Sequence, residues 1–288
     1  MNWLLLADGI FYVCCGLVGL LLGSFITVVI TRLPAWEQYQ YQSSLEITPT
    51  SATAPANLCW PGSRCPHCLT ALRLADNLPL IGFIRQRGRC RHCQKPISSL
   101  YPWVETLSLV LTVWVGWRFG FREAALWALI PTLSLLTLAF IDGREQLLPD
   151  GLTQPLLWCG FIAALRSTDG SFPIRLDLAV TGAMSGFAVL WTLRQGFYWA
   201  TRRDGLGYGD LKLLAAIGAW VGVTGMLQIL FLASVIGLAT ALALIALKKR
   251  SWHEPLPFGS FLAVSAILLI LVPPTSLWRW GLWWRHGP

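Results

Sequence analysis

Along the chain, long apolar runs alternate with short polar breaks. Eight runs read as helices that enter or cross a bilayer, at roughly 9–30, 104–121, 124–141, 154–167, 177–199, 211–224, 226–247 and 258–274. A full crossing takes roughly 20 apolar residues, and several of these runs are shorter. Short runs imply either segments that end in a water-filled vestibule or true boundaries that lie a few residues from those given. The sixth and seventh are divided near Val223–Gly225. One long polar stretch interrupts the series, at about 32–101, between the first run and the second. No internal repeat accompanies the alternation.

Composition turns this pattern into a fold class. Of 288 residues, 55% are hydrophobic and 12% charged, where soluble domains carry roughly a quarter charged residues. Mean hydropathy is +0.57. The expectation is an all-α polytopic membrane protein whose surroundings are the lipid bilayer. The net charge of +8 is read as topology. The basic residues Arg32, Arg64, Arg73, Arg85, Arg87, Arg89, Arg91, Lys95, Arg144, Arg202, Arg203, Lys248, Lys249 and Arg250 share one side if the N-terminus is outside. Only Arg118, Arg122, Arg166, Arg175, Arg279 and Arg285 fall on the other, as the positive-inside rule requires. No basic run is long enough to suggest nucleic-acid binding. The start, MNWLLLADGI, lacks a basic n-region, so a cleaved signal is not expected. The tail carries Trp278, Trp280, Trp283 and Trp284, suited to an interfacial aromatic belt.

Three parts follow: a first transmembrane helix at 1–31, a cytoplasmic module at 32–101, and a seven-helix core at 102–288. Within the module, EQYQYQSSLEITPTSATAPAN (37–57) is low in complexity and reads as a loop or disordered insert. The rest holds Cys65-Pro-His-Cys68 and Cys90-Arg-His-Cys93. Two C-x-x-C knuckles about twenty residues apart are a zinc signature, because each turns two thiolates toward one point. Four thiolates leave no open position, so the zinc is expected to be structural. A redox dithiol pair is the other reading. His67 and His92 are alternative ligands, read here as exposed or outside the metal shell. Cys59 is a spare. Cys14, Cys15 and Cys159 lie in apolar runs and read as small packing residues.

Acids near the spans are few and costly at membrane depth. Asp142 and Asp150 lie in FIDGREQLLPD, and Asp210 closes GLGYGD. All three fall on the cytoplasmic side of the predicted layout. Two carboxylates brought together in a partly dehydrated site share a proton and titrate as a unit. One then serves as base toward water and the other as acid toward a peptide carbonyl. Gly207 and Gly209 read as room for an approaching backbone, and a helix N-terminus favours a carboxylate at Asp210. The alternatives are capping or loop roles for Asp150 and Asp204, and a span-ending role for Asp142. Lys212 reads as an interfacial lysine that also tunes the pair.

At these residues the chain resembles the bacterial type IV prepilin peptidases, which are leader peptidases and N-methyltransferases, and the wider G-x-G-D membrane aspartic proteases. The likeness runs through GSFITVVITRLP (23–34), both cysteine knuckles with Asn77 and Pro79 between them, and YPWVE (101–105). It continues through IDGREQLLPD (141–150), GYGDLKLLAAIGAW (207–220) and PFGSFLA (257–263). It implies a catalytic pair of Asp142 and Asp210, with Asp150 supporting beside the Gly207, Gly209 and Lys212 already singled out. It implies cleavage of the basic leader of type IV prepilins or type II secretion pseudopilins, then N-methylation of the new N-terminal residue from S-adenosylmethionine. Location would be the bacterial inner membrane, both termini periplasmic and the active site facing the cytoplasm. Glu105 is the acid to examine for the methyl donor, with a salt-bridged interfacial acid as the other reading. Two positions depart from the family's usual residues: Thr27 stands where Asn is usual and Ser260 where Pro is usual. A peptidase without methylation, and a proton- or ion-coupled transporter, are the alternative functions.

Overall fold

The computed structural model describes residues 2–44, 55–58, 60–166, 174–203, 205–247 and 256–272. Cys59, Asp204, Lys248–Arg250 and the tail tryptophans lie outside them. Every named element is helical: α1 (Asn2–Ser44), α2 (Ile81–Arg85), α3 (Leu100–Phe119), α4 (Glu123–Glu145), α5 (Asp150–Arg166), α6 (Leu176–Thr201), α7 (Tyr208–Ala246) and α8 (Phe258–Leu271). Four of them, over Gly9–Ser44, Glu123–Glu145, Leu176–Thr201 and Tyr208–Ala246, are long and apolar enough to cross a membrane. Large apolar side chains stand exposed along them, among them Leu21, Phe25, Met184, Phe231 and Leu238. Lipid would cover such a surface.

The helices overrun their apolar windows, which accounts for much of the shortness read from sequence. α1 continues through Pro34 to Ser44, so residues 37–44, expected to open a disordered insert, are helical. α7 carries a break at Gly222, whose φ of 71° and ψ of −177° leave helical space. That break lies one residue before the expected division. Glycine alone adopts this backbone without strain.

The chain divides into two units, Met1–Gly120 and Phe121–Pro288. In the first, α1 and α3 pack along a seam of small residues. A Cβ on Gly19 would lie 2.9 Å from Thr112 Cβ, and one on Gly23 would lie 2.9 Å from Ser108 Cβ. Glycines four residues apart on one helix, facing Ser108 and Thr112 on the other, let the backbones approach as membrane helices require. Cys15 fills the same seam: its Sγ would lie 2.9 Å from a Cβ on Gly116. Arg32 donates from Nη1 to the carbonyls of Asn57 (2.9 Å) and Pro61 (2.8 Å). The residue that marks the end of the first span in sequence thus also pins the polar module to α1.

In the second unit, α8 packs against both α4 and α7, and α5 packs against α4, α6 and α7. The α6–α7 seam is built from glycine on both sides. Gly182 and Gly218 sit so close that a Cβ on either would strike the other's carbonyl oxygen. Trp220, Leu211, Leu214, Ile217 and Leu262 are fully buried around this crossing. Trp220 donates its indole N–H to the carbonyl of Leu156 on α5, 3.0 Å away. The result brings the C-terminal end of α4 and the N-terminal ends of α7 and α8 to one place.

Candidate active site and metal centre

Asp142 lies in the last turn of α4, whose end is closed by Gln146 in a left-handed conformation (φ 51°) donating back to the Asp142 carbonyl. Its side chain is buried. The carboxylate reaches the start of α8, where Oδ2 is 2.6 Å from the backbone N and 2.9 Å from the Oγ of Ser260. Ser260 is the third residue of α8, and its N–H is among those left without a helical acceptor. Asp142 therefore caps α8 from another helix. Close approach is permitted at Gly259, where a Cβ would lie 3.1 Å from both Cγ and Oδ2 of Asp142.

Asp210 is the third residue of α7, and Gly207 is its N-cap. The Gly207 backbone N–H is hydrogen-bonded to the Asp210 carboxylate. This is the reciprocal half of a capping box. Asp142 acts on Asp210 electrostatically, so the two acids lie near each other. The cap and the reactive-acid readings of Asp210 are compatible, because one carboxylate serves both.

The loop before Asp210 is held on every side. A Cβ on Gly205 would run into the ring of Phe197. Arg194 on α6 donates Nε–H to the Leu206 carbonyl (3.1 Å) and stacks its guanidinium 4.1 Å from the Tyr208 ring centroid. Gly209 was expected to make room for a substrate backbone. Its Cβ position is instead filled by Leu148, whose Cβ would lie 2.9 Å away. The same Leu148 packs on Gly259, with Cδ1 at 2.8 Å, and so joins the two glycines beside the acids. Gly207 has ordinary extended backbone (φ −72°, ψ 146°), and a Cβ there would be 3.6 Å from Asp210 Oδ2. Asp150 begins α5 and accepts from Lys212 with both oxygens, at 2.8 and 2.7 Å. Neither is free to act as an isolated acid or base. Ser260 entered the sequence reading only as a departure from the family pattern. Leu148 and Arg194 were assigned no role, and only the glycines Gly209 and Gly259 hinted at the contacts of Leu148.

Cys65, Cys68, Cys90 and Cys93 bring their Sγ atoms within 4.8 Å of one another. Cys65 and Cys93 are 3.8 Å apart, and Cys68 and Cys90 4.0 Å. A tetrahedral ion with thiolate bonds of about 2.3 Å requires sulfur separations of about 3.8 Å. The donor set therefore fits one such ion. The two knuckles are copies. Arg64-Cys-Pro-His-Cys and Arg89-Cys-Arg-His-Cys are followed by Leu69 (φ 57°) and Gln94 (φ 56°), both left-handed. Bridges Arg64–Ala71 and Arg89–Pro96 close both. A short repeat thus exists where none was expected. Only Arg, Cys and His recur between the two copies. His67 and His92 take no place among the four clustered ligand atoms.

Four thiols around one point cannot all ionise. The Thr70 hydroxyl, then its backbone N–H, hold the Cys68 thiol down to about 6. At Cys93 the Lys95 N–H pulls the other way, but desolvation and the thiols of Cys90, Cys68 and Cys65 together push it up to about 11. Hydrogen bonds from Cys93 and His92 N–H lower Cys90.

Glu105, on α3, is buried and bound to protein. Its Oε2 accepts the Leu80 N–H at 2.8 Å, and Ser24 of α1 also hydrogen-bonds it. Among the described residues no Lys or Arg pairs with it, so it is not a salt-bridged acid. Thr27 is also turned inward, donating to the Ser24 carbonyl at 2.7 Å.

An apolar helical protein that gathers two acids at helix ends in one unit, and carries a four-cysteine module in the other, is a membrane protein equipped for acid–base chemistry. Comparison with known proteins carries this further. Residues 17–119 match the Bacterial Peptidase A24 N-terminal domain, and residues 128–242 match the Type IV leader peptidase family. A prepilin leader peptidase/N-methyltransferase of Aeromonas hydrophila is 41% identical over 92% of this chain and 92% of its own length. Proteins of the same name from Stutzerimonas stutzeri and Neisseria gonorrhoeae are 40% and 38% identical. They cover 91% and 94% of this chain, and 90% and 93% of their own lengths. No solved structure matches significantly. The chain belongs to the type IV leader peptidase family.

Proposed function

We propose that the protein cleaves the basic leader of type IV prepilins or type II secretion pseudopilins and then N-methylates the new N-terminal residue. The carrying observation is that Asp142 of α4 and Asp210 of α7 lie close enough to act on each other electrostatically, in a chain so similar to peptidases of that name. One carboxylate takes a proton from water as the water oxygen attacks the scissile carbonyl, while the other gives its proton to the carbonyl oxygen. Collapse of the tetrahedral species breaks the C–N bond, and the departing amine takes the proton held by the base. The active form carries one proton between the two acids, so the rate should follow a bell-shaped pH profile.

In this reading the chain crosses the bacterial inner membrane about eight times, with the acids at the cytoplasmic face and both termini periplasmic. The substrate's apolar stalk lies in the bilayer beside the helices, and its basic leader is drawn to the acids. Cys65, Cys68, Cys90 and Cys93 hold a structural zinc that fastens the module's two knuckles together. The methyl group comes from S-adenosylmethionine, a substrate to which no residue of this chain is assigned. A transporter would distribute its acids through the membrane depth, whereas these gather at one end of the bundle.

Purified protein incubated with a candidate prepilin, with and without S-adenosylmethionine, tests both activities by mass. Loss of the leader in both reactions, and one added methyl group only with the donor, is the expected result. Intact substrate in both reactions would overturn the proposal.

A further inference from the structure

We infer that Ser260 is a positioning residue that holds Asp142 in both of its protonation states; the inference rests on Asp142 acting in leader cleavage. The Ser260 Oγ lies 2.9 Å from Asp142 Oδ2 and 2.9 Å from the carbonyl oxygen of Ala139, one turn earlier on α4. The Ser260 N–H points at the same Oδ2, 2.6 Å away. A hydroxyl has one proton to give and lone pairs to accept another. A backbone carbonyl only accepts.

These facts allow two hydrogen-bond patterns on one set of atoms. With Asp142 ionised, the hydroxyl and the N–H of Ser260 both donate to Oδ2. With Asp142 protonated on Oδ2, that proton is donated to Ser260 Oγ, whose own proton turns to the Ala139 carbonyl. The exchange rotates one O–H and moves no heavy atom. An acid that alternately gains and loses a proton during turnover is thereby kept in one place. The hydroxyl is held close by Gly143, where a Cβ would lie 3.4 Å from Oγ.

The charged groups around Asp142 are few. α8, packed directly on α4, has none over Phe258–Leu271. α7 contributes Asp210 and Lys212, the latter paired with Asp150 of α5. Arg144 and Glu145 follow on α4 itself and are exposed. No other described hydroxyl or amide is hydrogen-bonded to the Asp142 carboxylate.

The test is kcat and KM for leader cleavage across pH in wild type, Ser260→Ala and Ser260→Thr, with detergent melting to verify folding. Ser260→Ala keeps the N–H and loses the rotating hydroxyl. Its kcat should fall roughly ten- to a hundredfold, with KM unchanged and the pH profile altered in shape. Ser260→Thr keeps the hydroxyl and should restore both. A folded Ser260→Ala whose kcat profile superimposes on wild type overturns the inference. So does a folded Ser260→Thr as impaired as Ser260→Ala. The infrared carboxyl band that disappears in Asp142→Asn should shift in Ser260→Ala, and an unshifted band also overturns it. Asp142→Asn separates the two claims. Cleavage by that variant removes the proposed function, whereas its inactivity beside a wild-type Ser260→Ala removes only the role of Ser260.

Discussion

Lys212 Nζ stands 2.8 and 2.7 Å from the two carboxylate oxygens of Asp150, joining the fifth residue of α7 to the first residue of α5. Both side chains are substantially exposed, at 36% and 57%, so the pair adds at most about 1 kcal/mol to stability. Its effect is on position, because Lys212 is two residues from Asp210. Lys212→Met and Asp150→Asn should each lower the cleavage rate with little change in melting temperature. The double variant should be no worse than either, since both remove one shared contact. Additive losses in the double variant would show that the two act separately.

Asp142→Asn and Asp210→Asn should each abolish leader cleavage, by at least about a hundredfold, while the proteins still fold and insert. If the two acids work as one unit, as proposed, the double variant should match the single ones. Full cleavage of purified prepilin by either single variant would contradict the pairing.

Cys65→Ser should lower both metal content and thermal stability. Cys65 is buried, and its sulfur is one of four that meet within 4.8 Å. Metal per chain, measured after a chelator wash, should fall sharply from the wild-type value. Unchanged stoichiometry would argue against the four-thiolate site.

Metal uptake should release protons and weaken in acid. Cys68, held down to about 6, is a thiolate at neutral pH. Its depressed value favours the folded module at high pH, and that contribution fades as pH falls from the ordinary thiol value through 6. Cys93, pushed up to about 11, keeps its proton until an ion displaces it. At pH 8 at least one proton per ion should appear, measured calorimetrically in buffers of different ionisation enthalpy. Affinity should drop as pH falls below about 6. Uptake without proton release would contradict this order of ionisation.

Two glycines of α6 should respond in opposite directions. Gly182 has Gly218 in the space of its missing side chain, whereas Gly196 has nothing within 4 Å. Gly182→Ala should lower stability by about 1–3 kcal/mol or more through overpacking. Gly196→Ala should raise it by up to about 1 kcal/mol, because alanine favours the helix. Melting in detergent distinguishes them.

What the sequence made legible divides along physical lines. Apolar runs revealed the helices, because lipid imposes a composition that residue order cannot disguise. The cysteine spacing revealed the cluster, because the ligands of each knuckle are neighbours in the chain. Asp142 and Ser260 are 118 residues apart, and no local pattern connects them. Helix ends were misjudged at Ser44 because a helix leaving the membrane loses its apolar signature while keeping its backbone bonds. The glycines of GLGYGD were visible, but their neighbours Phe197 and Leu148 come from other helices.

The hydrogen bond from Leu80 to Glu105 reaches from the cysteine module into the helix pair of α1 and α3. Among the described residues it is one of two groups, with Ser24, that serve this buried carboxylate. A module that loses its ion and loosens would withdraw one of them, leaving a nearly stranded acid between two tightly packed helices. If the four cysteines hold an ion, metal starvation would then slacken the helix pair as well as the loop that binds it.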